Sequence, residues 1–398
     1  MLEKIFLEMA ASIGKMFINP LFYWSFILVI ITGIVRIKRE RMLFGIKVDD
    51  IFSEWRHTWW ISFVFGCLLS LIMVGAGIIF TPSMILLISV LTILLSIHFR
   101  FTWLSPVYTI GISFLLLLIL PPLFHQQSIV ASSLFDHVNY AGLAILLGLL
   151  LFVQAILLYT IRKKDTFAEL LKSKRGVWTG VHHLKKMAVI PFFIPIPKGW
   201  LPPLFDFWPY LPIGQATTDG TYGLMLLPML IGFHFRVAGF ESQQAKQWLG
   251  RRILGLAVVV LIAGVASVYI GWLSIAAIAL GVLGWEFIHY RQRSRDVLKA
   301  PYFSQTDSGL RILTVIPGTT ADKLGILPGE IISKANGKKV HSESSFYQAL
   351  QENGSFVKLS VLDEAGEVRF VQGALYEGGH HELGLVFVGR AFRENKSS

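Results

Sequence analysis

Six stretches of the chain stay apolar for close to the ~20 residues that a helix needs to cross a bilayer. They are Phe17–Val35, Trp59–Phe80, Phe101–Pro121, Asn139–Ile161, Ile253–Gly271 and Trp272–Tyr290, with Pro82–Ile97 as a shorter seventh. Aromatic residues stand at several ends, as in Trp59-Trp60 and Trp103, where such rings meet the membrane interface. From Met187 to Phe235 the chain is equally apolar, but prolines and a polar break at Gln215–Thr221 interrupt it. Each half is short for a span and both flanks are basic, so the segment crosses twice or not at all. Two forms fit: a re-entrant or interfacial hairpin whose backbone needs protein cover, or two broken helices. The pattern predicts a polytopic α-helical membrane bundle of about seven spans, within a range of six to nine. The residues before it, Leu2–Phe17, place Ile5, Met9, Ile13 and Phe17 on one helical face, as in an interfacial helix. If that helix lies on the cytoplasmic surface, the count becomes even.

After Arg295 the period changes. Short apolar runs alternate with Gly, Pro and Asn, and Leu310–Ile316, Glu330–Ala335, Phe356–Leu362, Val368–Leu375 and Leu383–Val388 read as strands. Glu343–Asn353 reads as a helix capped by Ser342, with Phe346, Ala349 and Leu350 on one face and Asn353-Gly354 closing it. The chain therefore divides into residues 1–295, a transmembrane part with basic loops and the Pro-rich segment 187–235, and residues 296–398, a small α+β domain.

Composition supports the membrane reading: 54% of residues are hydrophobic and 15% charged. The single cysteine, Cys67, excludes a disulfide framework within the chain. The N-terminus has no h-region of a cleaved signal peptide. The net charge of +11 is not spread evenly. Residues 36–58 hold Arg36, Lys38, Arg39, Arg41, Lys47 and Arg56, and nine Lys/Arg fall between Arg162 and Lys198. Residues 122–138 and 199–235 have none. From Pro301 onward ten Lys/Arg stand against eleven Asp/Glu. Positive charge confined to some loops sets orientation rather than nucleic-acid binding, and it places those loops and the C-terminal domain in the cytoplasm. The basic loops can also attract anionic lipid of the bilayer.

One motif is specific. A strand is followed by Pro317-Gly318, a short helical Thr320–Leu324, then Gly325-Ile326-Leu327-Pro328-Gly329-Glu330-Ile331-Ile332 and Asn336-Gly337-Lys338-Lys339-Val340. Gly325 suits a helix end at positive φ, Pro328-Gly329 a tight turn and Asn336-Gly337 a hairpin. This order resembles a PDZ domain of the bacterial type, with Glu330 where the family more often has Asp and Leu324 where a small residue is usual. PDZ domains add an extended peptide to a sheet edge beside a helix and hold its terminal carboxylate in a backbone nest. No such nest precedes Leu310. Glu382–Phe387 resembles the carboxylate loop displaced to the C-terminal side, as in a circular permutation; the alternative is an ordinary closing strand. The candidate peptide-binding residues are Leu383, Gly384, Leu385 and Val386 from that loop, and Phe346, Ala349 and Leu350 from the helix.

No catalytic constellation accompanies the motif. His381-Glu382 lacks the second histidine of a zinc-protease helix, and Ser308-Gly309 lacks the setting of a nucleophile. His98, His234 and His289 read as interface histidines, Glu286 and His289 as a possible pair, and His182-His183 as solvated. A membrane protease or a transporter with a regulatory PDZ domain is the alternative. No catalytic residue, metal site or cofactor is assigned. The whole layout, a polytopic segment followed by one PDZ domain, resembles the MinJ family of division-topology proteins from rod-shaped Gram-positive bacteria. That resemblance implies an adaptor without enzymatic activity, enriched at septa and poles. It would link the pole- and septum-binding protein DivIVA to the ATPase MinD.

Overall fold

The computed structural model describes residues 2–124, 138–173, 176–204, 208–210, 221–352, 356–374, 383–389 and 392. The polar break at residues 215–220, the helix-closing Asn353-Gly354, His381-Glu382 and most of 122–138 lie outside them.

The first part is mainly helical: α1 (Leu2–Met16), α2 (Pro20–Phe44), α3 (Trp59–Gly75), α4 (Pro82–Ser96), α5 (Pro106–Phe124) and α6 (Tyr140–Tyr159). Beyond a three-stranded sheet follow α7 (Ser242–Ala266) and α8 (Leu273–Val297). Local chemistry sets the ends. The Asn19 side chain accepts from the Leu21 N–H just before Pro20, and Gly45 closes α2 at φ 77°. Thr81 caps α4 in the same way, again ahead of a proline. Among the described residues four helices, α2, α6, α7 and α8, are long and apolar enough to cross a membrane; α3, α4 and Pro106–Leu120 of α5 are apolar but shorter. Helix α7 begins well before the predicted Ile253, because its polar first turns continue the helix past the apolar stretch.

Of the two expected forms, the Pro-rich segment takes the non-helical hairpin rather than broken helices. It builds two long antiparallel strands, β2 (Trp178–Leu201) and β3 (Tyr222–Val237), with β1 (Phe167–Lys172) on the outer edge of the β2 start. At ~3.3 Å per residue, β3 reaches about 50 Å, more than the ~30 Å of a hydrocarbon core. Its ladder explains the prolines. Pro191 stands opposite Pro228. Two prolines can exchange no N–H···O bond, so theirs is a non-hydrogen-bonded pair, and so is every second pair along the ladder. Odd residues of β2 and even residues of β3 therefore turn their backbone groups outward. Pro191, Pro195, Pro197 and Pro228 all occupy such outward positions, where no ladder donor is lost.

Several of the remaining outward groups are met by the helices and the turns beside them. Phe193 N–H donates to Ser70 Oγ of α3 at 2.9 Å, and Phe80 N–H donates to the Pro195 carbonyl at 3.0 Å. Gln154 and Gln292 donate to the carbonyls of Gly232 (3.5 Å) and Arg236 (2.7 Å). At the far end, Ser12 of α1 reaches the Leu224 carbonyl at 2.6 Å, and Glu8 accepts from Trp200 N–H at 3.0 Å. The face α1 buries is thus centred on Glu8 and Ser12 together with Ile5 and Met9, whereas Ile13 and Phe17 of the predicted apolar stripe stay exposed. Gly66 allows α3 to lie this close, since a Cβ there would sit 2.3 Å from the Pro191 carbonyl oxygen.

The second sheet contains β4 (Leu310–Val315), β5 (Ile331–Ala335), β6 (Lys338–Lys339), β7 (Phe356–Leu362), β8 (Val368–Ala374) and β9 (Leu385–Phe387), in the order β8-β7-β5-β4-β9 with β6 on β5. Two helices accompany it, α9 (Thr320–Lys323) and α10 (Glu343–Gln351). Its core holds Ile312, Val315, Ile332, Phe346 and Leu359. The predicted turns are present: Asn336 and Gly337 both have positive φ, as do Gly325 and Gly329.

Replacing Ser70 with Ala leaves the Phe193 N–H without its partner inside the bundle. This should lower stability by about 1–3 kcal/mol, with Ser70→Thr retaining most of it. Gly66→Leu should cost more, because helix and strand must part. Thermal unfolding midpoints of the purified protein in detergent check both.

Candidate peptide groove and its seat on the membrane part

Strand β9 lies at one edge of the second sheet and pairs antiparallel with β4 through Leu385–Val315, Val386–Thr314 and Phe387–Ile312. Just before it, Gly384 has φ 83°, a backbone state that disfavours any side chain. A Cβ at this position would also lie 2.0 Å from Thr319 Oγ1. The loop is fastened to the Pro317-Gly318 turn: Ile316 N–H donates to the Gly384 carbonyl at 2.8 Å, and Ala321 N–H to the Leu383 carbonyl at 2.9 Å. Ser342 and Ser345 form a capping box that starts α10. Phe346 on that helix meets Phe387 of β9 edge to face, with ring centroids 5.1 Å apart.

The structure thus brings loop and helix together, but not as an open slot. Leu383, Leu385, Phe346, Ala349 and Leu350 all belong to one buried core cluster. Val386 points the other way. It joins Val388, Leu313, Phe303, Leu170 and Val48 in a separate cluster between the second sheet and the membrane part. Strand alternation accounts for the split, since successive side chains of β9 leave on opposite faces. An arriving peptide would find the backbone edge of β9 and the half-buried Tyr347 of α10 rather than the predicted helix side chains.

The seat beneath β9 was not legible as such in the sequence. His182, expected in solvent, is 1% exposed. Its ring stacks on Phe303 with centroids 4.1 Å apart. Its Nε2–H donates to the Leu313 carbonyl at 2.9 Å, and Nδ1 accepts from the Thr166 hydroxyl at 2.6 Å. Gly180 N–H donates to the Phe303 carbonyl at 2.8 Å, so β2 of the membrane part and the lead-in to β4 are hydrogen-bonded to each other. Ion pairs Lys163–Glu364 and Lys164–Asp322 flank the contact. The Gly318 N–H and Lys164 hold the Asp322 carboxyl below its usual range. A period-two reading of Trp178–Leu184 would have signalled two histidines on opposite faces. His183 indeed turns inward, its Nε2 2.7 Å from Glu169 and its Nδ1 2.8 Å from His234. Glu286 does not pair with His289; it takes the Tyr108 hydroxyl, and His289 stacks on Phe235.

A tightly packed set of apolar helices joined to a sheet domain with this turn pattern defines a membrane protein carrying a PDZ domain. A PDZ domain family model matches residues 311–362. Over 390 residues the chain is 34% identical to the cell division topological determinant MinJ of Bacillus subtilis (strain 168), covering 96% of this chain and 95% of that one. It is 24% identical over 390 residues to a probable cell division topological determinant MinJ of Lacticaseibacillus paracasei, covering 94% and 98%. The same figures hold for the counterpart from Lacticaseibacillus casei (strain BD-II). The chain belongs to the MinJ family of cell division topological determinants.

Two outcomes are expected. Gly384→Ala should destabilise the second sheet by about 1–3 kcal/mol through strain and the clash with Thr319, read as a lowered unfolding midpoint. Burial pushes the His182 imidazole down to about 4, whereas a released ring titrates near 6.5. The released state then binds more protons between those values. The contact should hold above pH 7 and weaken by up to about 1.4 kcal/mol per pH unit as pH falls from 6.5 toward 4. Protease susceptibility of the junction across that range, compared with His182→Gln, which does not titrate, measures it.

Proposed function

We propose that this protein is a membrane-anchored PDZ scaffold for selecting the division site. In this reading residues 1–295 form a multi-pass anchor, and residues 296–398 form a cytoplasmic PDZ domain. DivIVA and MinD are the partners that the family resemblance implies. The observation that carries the proposal is the match to a division determinant along almost the whole chain, PDZ domain included. Charge and geometry support the orientation. The basic end of α2, with Lys38, Arg39 and Arg41, and the Lys163-Lys164 turn lie at the end of the bundle that meets the PDZ domain. The 199–235 stretch, which has no Lys or Arg, includes the opposite end of the hairpin. The seven apolar helices and the two strands would then give nine crossings, with the N-terminus outside and the C-terminal side within.

Peptide capture would occur by strand addition at the β9 edge, with the Leu383-Gly384-Leu385 loop taking the carboxylate and α10 forming the opposite wall. A scaffold held in two dimensions raises the effective concentration of weak partners, so modest groove affinity suffices.

The test is a C-terminal fusion to a fluorophore that matures only in a reducing compartment, imaged in dividing cells. Signal concentrated at septa and poles is expected. An even membrane signal would count against the division-site role, and an expressed but dark fusion would reverse the orientation. Two-hybrid pairing of the full chain with DivIVA and with MinD then decides the partners.

A further inference from the structure

Helices α7 and α8 form an antiparallel pair joined at Ser267–Trp272, and a groove of about 890 Å³ runs along it. That volume is at the upper end for a small-molecule site. The wall is apolar: Gly255, Val259, Leu280, Leu283 and Phe287. Leu283 and Phe287 are 69% and 62% exposed. At one end only, the groove is closed by Arg251, Arg252, Arg291 and Arg295 around Trp248. This is the end where α8 leads toward the PDZ domain.

Among the described residues none of these four arginines pairs with a carboxylate. The neighbouring acid, Asp296, is committed to the backbone N–H groups of Ala238 and Gly239 at 2.8–3.1 Å. Two guanidinium groups are already placed by stacking: Arg295 lies 4.6 Å and Arg252 5.8 Å from the Trp248 ring centroid. Four like charges at one level repel one another until an anion arrives, and guanidinium forks match phosphate oxygens. Below them the apolar wall offers a slot suited to an acyl chain. The turn end at Ser267–Trp272 carries no charge to compete.

We propose that the α7–α8 groove is a binding site for an anionic phospholipid of the surrounding bilayer. Its phosphate sits among Arg251, Arg252, Arg291 and Arg295, and one acyl chain lies along Gly255 and Leu283. The inference rests on these two helices lying in the bilayer and is independent of which proteins the PDZ domain binds. Charge on one end and an apolar slot beneath it fit an amphiphile better than a free anion or a neutral lipid. The site would hold the PDZ-bearing end of the bundle to membrane rich in anionic lipid.

The experiment uses the full-length protein in mild detergent, with retained lipid identified by mass spectrometry and binding read from the rise in unfolding midpoint on adding lipid. Phosphatidylglycerol should raise the midpoint in a saturable way, while phosphatidylcholine and chainless glycerol phosphate should not. The triple variant Arg251→Gln, Arg252→Gln, Arg291→Gln should weaken phosphatidylglycerol binding at least about tenfold. Gly255→Phe should do likewise, since a Cβ at this position meets nothing within 4 Å and the ring would project into the slot. Equal effects of phosphatidylcholine would overturn the headgroup assignment, and equal effects of glycerol phosphate would reduce the site to a free-anion site. Undiminished binding by the triple variant overturns the proposal whatever the other arms give. If Gly255→Phe fails to fold, the wild-type competition between lipid and glycerol phosphate still decides whether a chain is needed.

Discussion

A backbone buried away from water needs its N–H and C=O groups answered, and that demand shapes a β-hairpin set among apolar helices. Nearly all hairpins at such depth would leave two unpaired edges. Here the ladder direction puts Pro191, Pro195, Pro197 and Pro228 on the outward positions, removing donors that would otherwise need partners. Ser70, Gln154 and Gln292 from three helices, and Ser12 and Glu8 from α1, meet several of the groups that are left. The helices are therefore placed by the strands as much as the strands are covered by the helices. Gly66 is small because α3 must come within reach of Phe193.

The same hairpin carries its order to the other end. Near its start, β2 supplies Gly180 and His182, which hold Phe303 and Leu313 by a backbone bond, a stack and a side-chain bond. Val386 and Val388 complete the contact from the opposite side of β9. The PDZ domain is thus seated on a rigid strand rather than tethered by a linker. The orientation of the second sheet relative to the helices is thereby fixed by packing.

Much of this was readable from the chain. Apolar helices, the short strands of the second sheet, the Ser342 cap and the turns at Gly325, Gly329 and Asn336-Gly337 all follow from period and turn chemistry. The sequence also signalled that 187–235 was unusual, because its eight prolines interrupt the pattern of ordinary spans. What it hid was the strand state itself. A continuous apolar run has no period to separate helix from buried strand, and the outward placement of the prolines becomes visible only once the register is known. The candidate groove residues were found as neighbours, and the shared helix face of Phe346, Ala349 and Leu350 suits plain core as well as a groove wall; the structure places all three in the core. Whether Phe346 lines a slot or fills a core depends on Phe387, more than 40 residues away in sequence. His182 was misread for a related reason: a basic neighbourhood resembles a loop until alternation sends one histidine to each face.

The place of β9 in chain order has a temporal consequence. It is the last strand of its sheet to leave the ribosome, after β4, which it must flank, and after Val48, Leu170 and Phe303, on which it lands. Synthesis proceeds at ~5–20 residues per second, and N-terminal units fold first. The seat is therefore made before the strand that occupies it, and the sheet edge does not exist while the chain is still being inserted. The edge that β9 supplies is therefore the last part of the second sheet to be completed, on a seat whose residues have already been made.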